Sequence, residues 1–197
     1  MSSSLAASAA ELPMPTVAED ELVARIRAKD VDAIALVYDT HHVAVRVLAR
    51  RIVGDDGIAE DLVHDTFIVL PTAIRTFRGQ SSLRTFVMGI AVNRARKYIR
   101  AATRRRAAYE RHAAQPLPPD EPAPDVALAR RQLAAALHRA LDALPHDQRI
   151  AFVLCEIDEL TSGAAATIMG CPEETVRTRL YHARRKLRAR LEAEDVR

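Results

Sequence analysis

Apolar positions recur along most of this chain at the spacing of a helix face. Leu22, Val23 and Ile26 share one side of a stretch opening at Glu19, and Ile34, Val37, Tyr38, Val45, Leu48 and Ile52 align in a longer one. Asp30 stands where that longer helix needs an N-cap, and Gly54-Asp55-Asp56-Gly57 stops it near Val53. A third helix is predicted from Ile58, with Ile58, Leu62, Phe67, Leu70 and Ile74 on or near one face and Pro71 set to kink it. A polar loop with Gly79 as its hinge then leads into a helix over 83–106, capped by Ser82. In that helix Leu83, Val87, Ile90, Ala91 and Tyr98 face inward, while Asn93, Arg96, Lys97, Arg100 and Arg104 line the exposed side. Helical signals resume near Val126 with Leu133, Leu137 and Leu141 and stop before Pro145.

The stretch 144–191 carries the most specific pattern. Thr161 suits the N-cap of a short helix, Gly170 suits a left-handed residue ending it, and Pro172 suits the first turn of the next. In that next helix Val176, Leu180, Ala183, Leu187 and Leu191 form the inward stripe, with Arg177, Thr178, Tyr181, His182 and Arg185 opposite. Two helices joined by a tight Gly turn, the second basic on its free face, predict a helix-turn-helix whose reading helix is 172–191. A helical hairpin with a solvated basic face is the plainer reading of the same spacing. The coincidence of charge and reading residues on one element favours DNA.

Composition sharpens the picture. Gln115–Asp125 holds five of the ten prolines and three acids without apolar periodicity, which marks a semi-extended linker. The fold class predicted is therefore all-α: a Ser/Ala-rich disordered tail over 1–18, a helical domain over 19–110, a Pro-rich acidic linker over 111–127, and a helix-turn-helix domain over 128–193. Aromatic residues are only 4% and Trp is absent, so the cores must be built from Leu, Val, Ile and Ala. Net charge is a mild +3, but Arg94–Arg111 contains eight Arg or Lys against Glu110 alone. Glu174–Leu191 contains seven against Glu174, whereas Glu19–Asp65 is net acidic. Two basic patches suggest two contacts with a polyanion, and the acidic front a different kind of partner.

Catalytic chemistry is missing from the pattern. There is no nucleophile–base set, P-loop or dinucleotide fingerprint, and His41, His42, His64, His138 and His182 share no spacing. Cys155 and Cys171 lack metal-ligand spacing and read as small buried hydrophobes. Glu60, Asp61 and Asp65 lie about one helical turn apart, the spacing of a solvated or partner-facing acidic face rather than of a catalytic pair. No catalytic residue, metal or cofactor is expected. With no apolar run of membrane-spanning length and no signal peptide, the expected location is the cytoplasm, without membrane insertion.

Three ordered motifs carry a family resemblance. They are Ala59-Glu60-Asp61-Leu62-Val63-His64-Asp65-Thr66-Phe67, Phe77-Arg78-Gly79-Gln80-Ser81-Ser82-Leu83-Arg84-Thr85-Phe86, and Ile90-Ala91-Val92-Asn93-Arg94-Ala95. Together with Leu144-Pro145 and the stretch Ile168–Leu180, they resemble the extracytoplasmic-function (ECF) group of bacterial sigma-70 factors over residues 19–193. The resemblance implies that the acidic helix 58–70 docks on the clamp helices of the largest polymerase subunit, through Glu60, Asp61, His64, Asp65 and Phe67. It implies that helix 83–106 and the loop before it melt and read the minus-ten element. Phe77, Arg78, Gly79, Ser81 and Asn93 would border a pocket for a flipped base, and Arg96, Lys97 and Arg100 would hold phosphates. Thr175, Arg177, Thr178, Tyr181, His182 and Arg185 would then meet the minus-thirty-five element in the major groove. The linker would thread near the polymerase active-site and RNA-exit channels.

Three positions depart from the family pattern. Phe86 replaces the usual Trp, Pro71 interrupts a helix that is commonly continuous, and Ser162-Gly163-Ala164-Ala165 replaces an aromatic–Glu–Glu–Ile run. The last departure removes acid from the first turn, so that helix is expected to be marginal. The implied partners are core RNA polymerase, promoter DNA and an anti-sigma factor. The rival reading is a signal- or ligand-responsive helix-turn-helix regulator that does not replace the sigma subunit; it would need a ligand pocket or dimer face in 19–110. A basic nucleic-acid packager would bind without sequence preference.

Overall fold

The computed structural model describes residues 17–110, 140–141 and 143–195. Its elements are α1 (Val17–Arg27), α2 (Val31–Val53), α3 (Asp56–Ala73), α4 (Leu83–Glu110), α5 (His146–Phe152), α6 (Ser162–Met169) and α7 (Glu173–Asp195), with no strand among the described residues. The all-α expectation holds. Residues 1–16 and the linker 111–127 lie outside the described residues, as do Leu133 and Leu137. Helix α1 already includes Val17 and Ala18, two residues ahead of the predicted start.

The local signals act as polar chemistry requires. The Asp30 carboxylate accepts from the Asp32 and Ala33 N–H groups at the start of α2, and Gly54, at φ 81°, closes that helix in the left-handed conformation. Asp55 caps α3 through the Ile58 N–H (2.8 Å), so α3 opens at Asp56 rather than at Ile58. Pro71 lies inside α3, yet the helix ends at Ala73 and tightens into a 3-10 turn over Ile74–Thr76. The hydrogen bond that proline removes is thus lost only in the last turn.

Helix α1 is fastened by residues far along the chain. The Glu19 carboxylate accepts from the Leu83 N–H (3.1 Å) at the start of α4, and the Arg27 guanidinium donates to the Phe77 carbonyl (2.6 Å). Ser82 adds its side-chain cap, accepting from the Thr85 N–H at 3.2 Å.

Two large apolar clusters result. One joins Val23 and Ile26 of α1 to Val37 and Val45 of α2, Phe67 and Leu70 of α3, and Val87 and Ile90 of α4. The other crosses between the two sequence halves. Leu48, Ile52, Leu62, Val92 and Ala95 pack there with Ile150, Leu154, Ala165, Ile168, Met169 and Val176. A smaller cluster seats Ala140, Leu141 and Leu144 against Ala183 and Leu187 of α7. Between α5 and α6 a π-helical turn, Val153–Ile157, buries Val153 and Leu154 and brings Asp158 to Arg51.

Burial pushes the His41 and His146 imidazoles below the ordinary 6.5, and the nearby cations Arg84 (for His41) and Arg100 and Arg149 (for His146) act in the same direction. Asp147 opposes that shift at His146. The fold prefers both rings neutral, so their contribution is present above 6.5 and is lost as pH falls through the depressed folded values. The thermal midpoint should fall on acidification from about pH 7 to about pH 5, and H146Q should lose part of that dependence. Differential scanning calorimetry across that range checks it; an H146Q slope equal to that of the wild type refutes the assignment.

Candidate nucleic-acid interface

Helix α6 is short, and its stability comes from its surroundings. The Thr161 hydroxyl accepts from the Ala164 N–H (3.2 Å), Gly170 ends the helix at φ 62°, and Ala164, Ala165, Ala166, Ile168 and Met169 are buried. The acid missing from its own first turn is brought by α7: a Cβ on Gly163 would meet the Glu173 carboxylate at 3.6 Å.

Helix α7 divides its two sides as the spacing predicts. Val176, Leu180, Ala183 and Leu187 are buried, Leu191 is half-buried, and Arg177, Thr178, Tyr181, His182 and Arg185 are exposed. Thr175 is half-buried. Tyr181 is 60% exposed with its ring edge-on to His182, an apolar plate left in solvent beside a polar one. The Arg177 guanidinium is not idle: it donates to Glu173 (2.6 Å) and lies 3.6 Å from Glu174. These are exposed pairs one turn apart, which contribute about 0.3–0.5 kcal/mol and can be exchanged for a base edge.

On α4 the periodic assignment fails at one residue. Asn93, Lys97 and Arg100 are exposed as expected, but Arg96 is not on the free side. Only 13% of its side chain is accessible, and its guanidinium donates to Asp147 (2.8 Å), the Met169 carbonyl (2.9 Å) and Asn93 Oδ1 (3.1 Å). The acceptors on α5 and α6 lie too far along the chain for helical spacing to announce them.

The loop before α4 is also more enclosed than its polarity suggests. Phe77 is buried, with its ring edge-on to Phe86 at 5.0 Å, so Phe86 does form an aromatic plate beside it. Arg78 is exposed, Ser81 and Gly79 are half-buried, and Gly79 takes φ 69°, which an L side chain rarely adopts.

The acidic face of α3 lies open. Asp61, His64 and Asp65 are exposed, and neither Asp61 nor Asp65 makes an ion pair among the described residues. Glu60, expected to be free, instead pairs with Arg46 of α2 at 3.0 Å, and Phe67 is buried against Tyr38. Asp61, His64 and Asp65 share an open cleft of about 540 Å³ with Arg94, Lys97 and Tyr98 of α4. Sequence patterning treated these acidic and basic faces separately; α3 and α4 pack side by side and set them edge to edge. Sequence reasoning also missed Asp147 and Arg179, whose only signal was an acid and a base at otherwise unremarkable polar positions. No group of three or more metal-binding side chains occurs among the described residues, and no described helix is long and apolar enough to cross a membrane.

Residues 37–105 match the family described as Sigma-70 region 2, and residues 134–187 match that described as Sigma-70, region 4. The chain is 30% identical over 177 residues to the RNA polymerase sigma-H factor of Pseudomonas aeruginosa, covering 84% of this chain and 90% of that protein. It is 32% identical over 170 residues to the ECF RNA polymerase sigma-E factor of Escherichia coli K12, covering 83% and 88%. Among solved structures it resembles CnrH in complex with the cytosolic domain of CnrY, at a TM-score of 0.61 and 24% identity over 89% of this chain and 98% of that one. It also resembles the sigma factor RpoE in complex with the anti-sigma factor NepR from Bartonella quintana, at 0.55 and 24% over 80% and 96%. At that identity the two structures speak to the fold.

The two sides of α7 make separable demands. Leu187→Ala should destabilise the chain by about 2–5 kcal/mol through the cavity it leaves, whereas Tyr181→Ala should stay within about 0.5 kcal/mol. Urea unfolding of both variants measures the difference, and equal losses would mean that Tyr181 is a packing residue.

Proposed function

The chain belongs to the sigma-70 family of RNA polymerase sigma factors, in its ECF group, and from that membership we propose that it binds core RNA polymerase and directs promoter-specific initiation. It acts in the cytoplasm and performs no catalysis of its own. The observation that carries the reading is the helix-turn-helix of α6 and α7, which leaves Arg177, Thr178, Tyr181, His182 and Arg185 outward on a helix anchored by a buried stripe. A helix of that kind fits the major groove, where Arg can pair with a guanine edge and hydroxyls can take either role. These residues and Thr175 are assigned to the minus-thirty-five element.

The minus-ten element is assigned to α4 and its preceding loop. Asn93, Lys97 and Arg100 present an amide and two cations outward, and the Arg78–Ser81 loop carries the Gly79 turn next to them. Phe77 would act from beneath, supporting the loop through Phe86, unless melting draws its ring out. Arg96 joins this surface once its internal partners release it. Core polymerase is assigned to the exposed carboxylates Asp61 and Asp65 with His64; Glu60 would first have to exchange Arg46, and Phe67 holds the helix from below. Exposed carboxylates on a helix face favour a basic protein surface and draw it in at long range.

An anti-sigma factor is a further proposed partner, by analogy with the RpoE–NepR complex. The outer side of α2 leaves Leu36, Val43 and Val47 exposed by 52%, 61% and 43%, apolar surface of the sort a protein partner covers.

Two experiments test the assignment. The double variant Asp61→Arg with Asp65→Arg should lose co-purification with core polymerase while keeping the helical circular dichroism of the wild type; normal binding would remove α3 from the polymerase contact. Arg177→Ala should cost about 1–3 kcal/mol at one promoter position and relax preference there, read by promoter-library selection at two salt concentrations. A uniform loss over all sequences would make Arg177 a phosphate contact.

A further inference from the structure

The outer side of α2 carries a pattern that packing within the chain leaves unused. Leu36, Thr40, Val43 and Val47 follow one another at steps of four, three and four residues, the spacing of a seam that one helix offers to another. All four are exposed, and three of them are large apolar side chains. Thr40 interrupts the apolar run without spoiling it. Its hydroxyl donates to the Leu36 carbonyl at 2.7 Å, so drying the seam strands no donor. Leu36 also borders a recess of about 370 Å³ with Ala18 and Leu22 of α1, and Val47 borders one of about 350 Å³ with Met88 and Leu160.

One flank of the seam is charged, and charged in order. Asp32, Asp39 and Arg46 lie beside it at seven-residue intervals, with Arg50 one turn further, so acids hold the first half of the flank and bases the second. Arg46 and Arg50 already pair with Glu60 and Asp56 of α3, but those pairs are exposed and a guanidinium has donors to share. In an isologous antiparallel pair, each flank faces the same flank of the second copy with the chain direction reversed. About a dyad midway along α2, Leu36 opposes Val47 of the second copy and Thr40 opposes Val43, each twice. That register brings Asp39 within a turn of the second copy's Arg46 and Asp32 within a turn of its Arg50. A parallel pairing offers no such match, because it sets the charged flank against Ala44 and Arg51, with Arg46 facing a cation.

We propose that α2 is a self-association face: two copies of this chain pair antiparallel through Leu36, Thr40, Val43 and Val47, and Asp39–Arg46 contacts close the flank on both sides of the dyad. The pairing is independent of the sigma-factor reading, since side chains of α2 alone specify it. Another protein that covers the same stripe must first displace the second copy. With one helix of 23 residues contributed by each copy, the buried area falls at the low end of specific interfaces, below about 1,200 Å². The dimer is therefore weak and reversible, dissociating on dilution through the micromolar range.

Sedimentation velocity of the full chain over a dilution series tests this, with circular dichroism confirming that each variant keeps its helices. The wild type should dimerise reversibly. D39R and R46D should each weaken self-association about tenfold or more, because each sets like charges opposite one another twice per dimer. An equimolar mixture of D39R and R46D should recover dimers, because each variant then meets the opposite charge on the other at both contacts. Loss of packing cannot produce that recovery, so it separates the pairing from a folding defect. A wild-type chain that stays monomeric at every concentration overturns the proposal and leaves the stripe to a different protein. Dimers that both single variants leave intact overturn the assignment to α2, and a mixture that stays monomeric overturns the antiparallel register. No polymerase enters the experiment, so its failure and failure of the sigma-factor reading are distinct results.

Discussion

The close crossing of α4 and α6 is the contact on which the remaining structure depends. Gly89 and Ala95 on one side and Ala165 and Ala166 on the other are small enough to bring backbone near backbone, and Val92 and Ile168 fill the space between. Small residues give up contact area, which matters in a chain with few aromatics to compensate. What they allow is proximity, and proximity puts the carbonyl end of α6 within reach of Arg96. The apolar cluster, the Arg96 bond to the Met169 carbonyl and the Arg96–Asp147 pair are therefore consequences of the same crossing. A larger residue at position 89 would disturb all three.

The helix-turn-helix depends on that crossing too. Met169 and Val176, on either side of the Gly170 turn, both lie in the cluster shared with α2 and α4. The inner face of the turn is thus set by the first half of the chain, while the outer face of α7 is left to its own exposed side chains. Such a division lets the outward residues vary without disturbing packing, since none of Arg177, Thr178, Tyr181 or His182 is buried.

Much of this was legible in the sequence because it follows from short-range rules. Asp30, Ser82 and Thr161 act as caps, Gly54 and Gly170 take left-handed stops, and the stripe from Val176 to Leu187 is buried. Arg96 was not legible. Its helical phase matches that of exposed neighbours, and only acceptors 51 and 73 residues away turn it inward. Glu60 failed similarly, since its partner Arg46 belongs to the preceding helix. The candidate site was legible as a set of faces but not as a set of pairings, because amphipathic periodicity records which side is apolar and carries no information on which charges meet.

The fastening of α1 bears on how the chain is made. An isolated helix of eleven residues is marginal in water, and the groups that hold this one, the Phe77 carbonyl and the Leu83 N–H, are 50 and 64 residues further on. During synthesis the N-terminal helix therefore leaves the ribosome well before its anchors exist. At about 5–20 residues per second, that interval lasts several seconds. Until then Val23 and Ile26, fully or almost fully buried in the fold, lack the Val87 and Ile90 side of their cluster. Helix α1 is thus made ahead of the residues that secure it, and for those seconds the growing chain carries an apolar face whose partners on α4 are still to come.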